Sequence, residues 1–386
     1  MAGKNLLIVH GGGPTAVLNA SLYGAVARAR ECPEIDHVYG AIGGTEAIFT
    51  GNFVDLKTVP EEKLRLLLQT PGSAIGSSRF HLEPEDYERM PALFEEKNIG
   101  YVLLTGGNGS MDTCGKIFKA CGERGIRVGG IPKTMDNDLA VTDHSPGFGS
   151  AARYAAATVR EIGADVRSLP IHIVLVEVMG RNAGWIAASS ALARQNPDDA
   201  PHLIYTPEVP FDEQEFLADV KALFDRLGGV VVVVSEGLVD KEGKNVVPPL
   251  FTIGRSTYFD DVSTYLRNLI VRELGVKVRN EKPGLCGRAS IAFQSPVDRD
   301  EARLAGEKAV EAVVAGETGF MVGFRRLDGP EYAIETMLVP VEQVMLDEKK
   351  MPRSYLNEKG NDVTQEFLDW ARPLIGGELT EFVHFN

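Results

Sequence analysis

Short apolar runs alternate along the chain with amphipathic stretches, and this alternation predicts an α/β protein. Runs rich in Val, Ile and Leu at 6–10, 101–105, 128–131, 171–178, 203–205 and 230–235 predict strands, and most of them stop at Gly, Pro, Ser or Thr. Between them, apolar residues recur at helical spacing over 16–30, 110–124, 149–162, 182–194, 212–227, 258–274 and 300–315. Strands that are apolar on both faces, joined by helices, predict a doubly wound parallel sheet. In such a sheet ligands sit beyond the carboxyl ends of the strands, so the chemistry is to be sought where the apolar runs stop. The polar stretch 142–149, which carries Pro and Gly, is the clearest candidate boundary. From Gly329 onward Pro330, Pro340, Pro352 and Pro373 break the pattern into short elements.

Three of the strand runs end in segments suited to phosphate. The first leads into His10-Gly11-Gly12-Gly13-Pro14-Thr15 and the second into Thr105-Gly106-Gly107-Asn108-Gly109-Ser110, each followed by a helical pattern. Glycine lets backbone N–H groups approach an anion closely, and a helix N-terminus adds partial positive charge. One such turn alone reads equally well as a tight connection. The third segment, Pro132-Lys133-Thr134-Met135-Asp136-Asn137-Asp138, is more specific. Two carboxylates beside an ammonium fit base, metal and phosphate roles, whereas the structural alternative is a solvated acidic turn. Gly147-x-Gly149-x-x-Ala152 has dinucleotide-like spacing but follows a loop rather than a strand, which weighs against a nicotinamide enzyme.

Composition narrows the partners. The 386 residues suffice for two domains or one large α/β domain. A net charge of −14 argues against nucleic acid or an anionic membrane as the main partner. It also means that a phosphate site must gather its cations locally. Cys32, Cys114, Cys121 and Cys286 have no metal-ligand spacing, and Cys114 and Cys121 fall in a helical pattern that predicts core packing. The chain enters a strand pattern almost at once, with no signal peptide expected ahead of it, and no run reaches membrane-spanning length. Together these features predict a cytoplasmic protein with reduced thiols.

The 132–138 string is similar to that of the phosphofructokinase family. The likeness extends through Gly76-Ser77-Ser78-Arg79, the 106–110 turn, Thr142-Asp143-His144-Ser145-Pro146-Gly147-Phe148-Gly149-Ser150, Met179-Gly180-Arg181 and Ser235-Glu236-Gly237, in family order over most of the chain. The resemblance implies two doubly wound, Rossmann-like α/β lobes with the active site in the cleft between them, in a homodimer or homotetramer. It implies a donor-binding lobe over 1–145 with part of 250–300, an acceptor-binding lobe over 146–330 and a C-terminal extension over 331–386. Asp136 would take the proton of the acceptor hydroxyl, with Lys133, Asp138 and Arg181 completing the catalytic set. Gly11, Gly12, Arg79, Gly107, Asn108, Gly109 and Ser110 would hold the phosphoryl donor, and Asn108 would help hold Mg²⁺. Thr134, Met179, Gly180, Glu236, Arg279 and Arg288 would bind the acceptor, fructose 6-phosphate. From the residues alone the structural alternatives are a core residue for Met179, a surface ion pair for Arg181 and a helix-start carboxylate for Glu236, while Trp185 reads as packing.

Three departures bear on this reading. Asn108 stands where the family usually has aspartate, which removes a negative charge from the metal position. Gly109 leaves open the space that an aspartate fills in many pyrophosphate-using members, which favours ATP, while Lys133 and the 142–150 and C-terminal segments favour pyrophosphate; the balance leans to pyrophosphate. His172 stands where the family carries an arginine for the acceptor phosphate, and Leu285 and Gly287 replace an aromatic residue and a glutamine before Arg288. The alternatives are therefore the same chemistry on a different sugar or polyol, or a catalytically weak regulatory or binding paralogue.

Overall fold

The computed structural model describes residues 3–253, 256–345 and 347–385. In chain order its strands are β1 (Lys4–His10), β2 (Ile35–Ala41), β3 (Phe53–Asp55), β4 (Ile99–Gly106), β5 (Arg127–Pro132), β6 (Ile173–Val178) and β7 (Leu203–Tyr205). They continue with β8 (Val230–Ser235), β9 (Pro249–Ile253), β10 (Ser256–Phe259), β11 (Val278–Glu281), β12 (Phe320–Arg326) and β13 (Ile334–Pro340). The chain divides into two compact units: Met1–Phe148 with Ala289–Lys349, and Gly149–Arg288 with Lys350–Asn386.

The first unit is built on a seven-stranded sheet in the order β13-β12-β5-β4-β1-β2-β3. Its five inner strands run parallel, and β3 and β13 close the edges antiparallel to β2 and β12. Alternate residues of each apolar run feed opposite faces, as strand geometry requires. Leu6, Ile8, Leu103 and Ile131 join one core, and Leu7, Val9, Val102 and Leu104 join the other. Both faces are thus buried, which is why the runs are apolar throughout rather than alternating. On one face the helices Leu18–Glu31 and Pro296–Val314 cross so closely that a Cβ at Gly24 would lie 2.0 Å from the Arg303 carbonyl oxygen, and one at Gly306 2.1 Å from that of Ser21. Only glycine permits that approach.

The second unit carries a four-stranded parallel sheet, β11-β6-β8-β7, and a separate antiparallel pair, β9-β10. Ile173, Leu175, Val230, Val232 and Val234 form its core with Phe216 and Val220 of the helix Glu213–Leu227. That helix starts where Asp212 Oδ1 accepts the Gln214 and Glu215 N–H groups, and it stops at Gly228 with φ 73°. These are the expected cap and stop. Trp185 is buried, its ring 4.9 Å from that of Trp370 and 6.0 Å from that of Tyr355, so it is a packing residue.

All six predicted strands are present, with shifted ends. The predicted helix 182–194 is the shorter Trp185–Ser189 followed by a 3₁₀ turn, Ser190–Ala193. The helix predicted from 258 begins at Val262, because Tyr258 and Phe259 belong to β10. The chain passes between units at 148/149, 288/289 and 349/350, where sequence placed breaks at 145/146 and 330/331. The segment 289–349 belongs to the first unit because β12 extends its sheet beside β5. Cys32, Cys114 and Cys121 are buried and Cys286 is exposed, all as free thiols, and burial pushes the Cys114 thiol up to about 12. No helix among the described residues is long and apolar enough to cross a membrane.

Candidate active site

In the first unit the strand-end motifs converge at the carboxyl ends of β1, β4 and β5. Gly11 N donates to the Thr105 carbonyl at 2.9 Å, and Gly12 N to that of Ser78 at 3.1 Å. Ser77 Oγ donates back to the Gly12 carbonyl at 2.7 Å, so the 76–79 segment is tied to the first glycine turn. A Cβ at Gly11 would meet Ser110 Oγ at 2.3 Å, and one at Gly106 would meet it at 2.0 Å. The Ser110 side chain therefore packs directly against both glycines, and a side chain at either position would displace it. Gly12 also has φ 75°, a conformation that favours glycine. The helix Asn108–Cys121 starts at Gly107 with no side chain capping its first turn, while Gly109 faces open space. Arg79 is exposed and has no ion-pair partner among the described residues.

Lys133 brings a cation to these turns. It is 5% exposed, its backbone N donates to the Gly106 carbonyl at 3.0 Å, and its Nζ donates to that of Gly13 at 2.7 Å. A Cβ at Gly12 would sit 3.5 Å from Nζ, so the ammonium lies against the glycine turn. Its charge acts on His10 as well. Burial first, and then Lys133, lower the His10 pKa to about 3, so this imidazole stays neutral. His10 Nδ1 pairs with Ser73 Oγ at 2.8 Å, at the start of the segment that leads to Arg79.

The turn after β5 is held by its own side chains. Thr134 Oγ1 accepts the Asp136 N–H at 3.1 Å and donates to Asp138 Oδ1 at 2.8 Å. Asn108 Nδ2 donates to the other oxygen of Asp138 at 2.9 Å. Asn137 takes the left-handed conformation, φ 53°, and is fully buried. Its Oδ1 accepts Ser145 N at 3.1 Å, so the 142–147 segment braces the turn. Thr134 N donates to the Pro146 carbonyl, and Gly147 N donates to buried Asp298 Oδ1 at 2.8 Å. Asp136 is half-buried beyond these braces.

Behind the turn lies a buried charge cluster that sequence reasoning did not single out. His144 is 2% exposed, with Nδ1 2.8 Å from Asp143 Oδ2 and Nε2 2.7 Å from Glu301 Oε2. Burial opposes its charge, but hydrogen bonds to the two carboxylates outweigh that and raise its pKa. Tyr332 donates to Glu301 Oε1, and Arg326 pairs with Asp143 at 3.2 Å. Only Asp143 and His144 had a sequence signal, their place in the 142–150 motif. Glu301, Arg326 and Tyr332 are remote in the chain and had none.

The second unit gathers the remaining candidates. Gly180, φ 119°, accepts the Ser235 hydroxyl at its carbonyl, and Glu236 N donates to the Val178 carbonyl at 3.1 Å. Burial raises the Glu236 pKa, against the pull of Arg181. Arg181 is exposed, Met179 partly buried, and the Arg181 guanidinium lies 5.7 Å from the Phe259 ring centre. No ion pair engages Arg181 among the described residues. Buried Glu177 accepts the Ser263 N–H and hydroxyl, both at 2.8 Å, and pairs with Lys282 at 2.9 Å. A cavity of about 470 Å³ lies alongside, lined by Tyr154, Thr158, His172, Arg279 and Lys282. His172 is buried with neither ring nitrogen hydrogen-bonded, and its pKa is lowered by burial and then by Arg279 and Lys277. Leu285 is exposed and Arg288 partly buried, at the short helix Cys286–Ala289.

Residues 5–313 match the family model described as Phosphofructokinase. The chain belongs to that family. It is 37% identical to a pyrophosphate–fructose 6-phosphate 1-phosphotransferase of Rhodospirillum rubrum, over 96% of this chain and 94% of the relative. A sulfofructose kinase of Alkalicoccus urumqiensis is 32% identical over 94% of this chain and 93% of its own. The crystal structure of a pyrophosphate-dependent phosphofructokinase from Marinobacter aquaeolei superposes with a TM-score of 0.89 at 34% identity, covering 99% of this chain and 94% of that one. The two-unit α/β architecture is thus the family fold.

Proposed function

We propose that the protein transfers a phosphoryl group from pyrophosphate to the hydroxyl of fructose 6-phosphate, giving fructose 1,6-bisphosphate and orthophosphate. The observation that carries this reading is Lys133, a buried ammonium at the Gly11–Gly13 turn, three residues before Asp136. In a chain of net charge −14 such a cation is placed to neutralise a donor phosphate and the orthophosphate that leaves. The names of full-length relatives at 37% and 34% identity support pyrophosphate as the donor.

In this mechanism Gly11, Gly12 and the 107–110 turn bind the donor through backbone N–H groups, with Arg79 reaching it from the 76–79 segment. Asp136 accepts the proton of the acceptor hydroxyl as that oxygen attacks phosphorus and the bridging P–O bond breaks. Lys133 and Arg181 offset the charge on the transferring and leaving phosphates, while Thr134 and Asp138 hold the turn. Met179, Gly180, Glu236, Arg279 and Arg288 bind the sugar phosphate. The donor set also fits Mg²⁺: Asn108 Oδ1 is buried without a hydrogen-bond partner beside the Asp138 carboxylate, and Mg²⁺ favours one or two protein oxygens with phosphates and water. Asn108 and Asp138 would hold it, and it would supply charge neutralisation at the donor oxygens.

A phosphate-release assay with pyrophosphate or ATP against a panel of sugars tests this reading. Turnover is expected with pyrophosphate and fructose 6-phosphate. Binding of the sugar phosphate without turnover under either donor would reject it in favour of a binding paralogue. One observation favours a second acceptor. His172 and Arg279 line the cavity where the family places arginines for the acceptor phosphate, and a full-length relative is a sulfofructose kinase. A sulfonate carries one charge fewer than a phosphate and needs fewer cations. Including 6-deoxy-6-sulfofructose in the panel separates the two. Homo-oligomeric assembly, carried over with the family, and a cytoplasmic location, read from the sequence, are part of the proposal, and light scattering tests the first.

A further inference from the structure

Lys349 lies in the Pro-broken region of the sequence, next to another lysine, and nothing in its pattern distinguishes it from a surface residue. In the fold it grips the Asp136 turn from behind. Its Nζ donates to the carbonyls of Thr142 and Asp143, both at 2.9 Å, and to Asn137 Oδ1 at 3.3 Å. Its backbone N donates to the Asp138 carbonyl at 2.8 Å, where Leu139 and Glu348 form a bridge. The three acceptors match the three N–H donors of an ammonium group. They belong to both strands of the doubled-back 134–147 segment, so one side chain holds those strands together.

The residue it holds is the one that sets the turn. Asn137 separates the two aspartates and has φ 53°, a conformation unfavourable to most L-residues. Its side-chain oxygen is fixed by Ser145 N on one side and by Lys349 Nζ on the other. The direction in which the neighbouring Asp136 leaves the backbone follows from that arrangement. The price of burying a cation is visible: desolvation pushes Lys349 down to about 8, against the raising pull of Asp143 and Asp138. Such a group is retained where a neutral side chain would not hold three acceptors together.

We infer that Lys349 is a positioning residue for phosphoryl transfer: it touches no substrate, and through Asn137 and the Thr142 and Asp143 carbonyls it fixes the orientation of Asp136. The inference rests on the reading of Asp136 as the base. Misplacing a reacting group by about 1 Å costs on the order of 100-fold in rate, so Lys349→Met, similar in volume, is expected to lower kcat by roughly that factor. KM for pyrophosphate and for fructose 6-phosphate should stay within about threefold, because no binding contact is removed. Asn137→Ala should give a comparable loss, and the double variant should be no slower than about threefold below the worse single one, since both act by holding the same turn.

A Lys349→Met kcat within about threefold of the parent, a loss shared equally by both KM values, or multiplying losses in the double variant would overturn the inference. Should Lys349→Met not yield folded protein, Lys349→Gln, which keeps a shorter donor, decides on the same criteria. Asp136→Ala is assayed alongside. A normal kcat there removes the reading of Asp136 itself. A slow Asp136→Ala with a normal Lys349→Met removes only the positioning role.

Discussion

The turn at the end of β5 and the cavity beside β6 are organised in opposite ways. In the turn, Thr134, Asn108 and the 142–147 segment fix Asp138 and Asn137 with short bonds before any ligand arrives. In the cavity, both ring nitrogens of His172 lack partners and Arg279 is exposed, with no ion-pair partner among the described residues. Groups held in place in advance stabilise developing charge without reorganising, which suits the turn to the chemical role proposed for it. Groups left open are completed by whatever binds, which suits the cavity to the acceptor-binding role proposed for it. Changes to the turn should act on kcat, and changes to the cavity on KM.

The largest expected break in this contrast is Lys133→Met. Removing one preorganised donor at a reacting centre costs about 10²–10³ in kcat, and the loss with pyrophosphate should exceed that with ATP. Steady-state kinetics with both donors checks this. Next, Arg279→Ala should raise the acceptor KM by roughly 10–100-fold, the worth of one charge-assisted hydrogen bond, with kcat much less affected. An equal loss in kcat would place Arg279 with the chemistry and blur the distinction. Gly109→Asp should have a smaller, donor-dependent effect. The new carboxylate enters open space, so the fold tolerates it, and activity with ATP should fall about tenfold further than with pyrophosphate, about the cost of one like-charge contact at effective ε 20–80. Equal losses would break the donor argument.

The smallest effect should appear in stability against pH. The raised pKa of His144 means that its contribution is fully present below its unfolded value of about 6.5 and is lost as pH rises through the folded value. Thermal melts of the parent should therefore weaken as pH rises above about 6.5, while His144→Gln should lack that component. Parallel pH dependence in the two proteins would show that the His144–Asp143–Glu301 cluster does not titrate as a unit.

The sequence reveals the parallel sheets because strands buried on both faces leave uninterrupted apolar runs, as in β1, β4 and β8. It hides β2 and β13, which read Ile-Asp-His-Val-Tyr and Ile-Glu-Thr-Met-Leu, because polar residues interrupt each apolar run and Asp36, His37 and Glu335 stay exposed. The glycine turns and the 132–138 string were legible because close backbone approach restricts which residues can stand there. Lys349, Glu301 and Tyr332 were not, because their roles arise from tertiary contacts across 31 to 212 residues of chain. Leu285 illustrates the same limit from the other side: its exposure shows only that it does not serve the core.

The most direct test of the account is Asp136→Asn, which keeps the shape of the side chain and removes its basicity. Phosphate release from pyrophosphate in the presence of fructose 6-phosphate is measured for the parent and the variant, with sugar-phosphate binding followed by calorimetry. With Asp136 as the base, kcat should fall by about 10²–10⁴, the usual worth of a general base, with binding of fructose 6-phosphate retained. A variant that turns over at nearly the parent rate would contradict it.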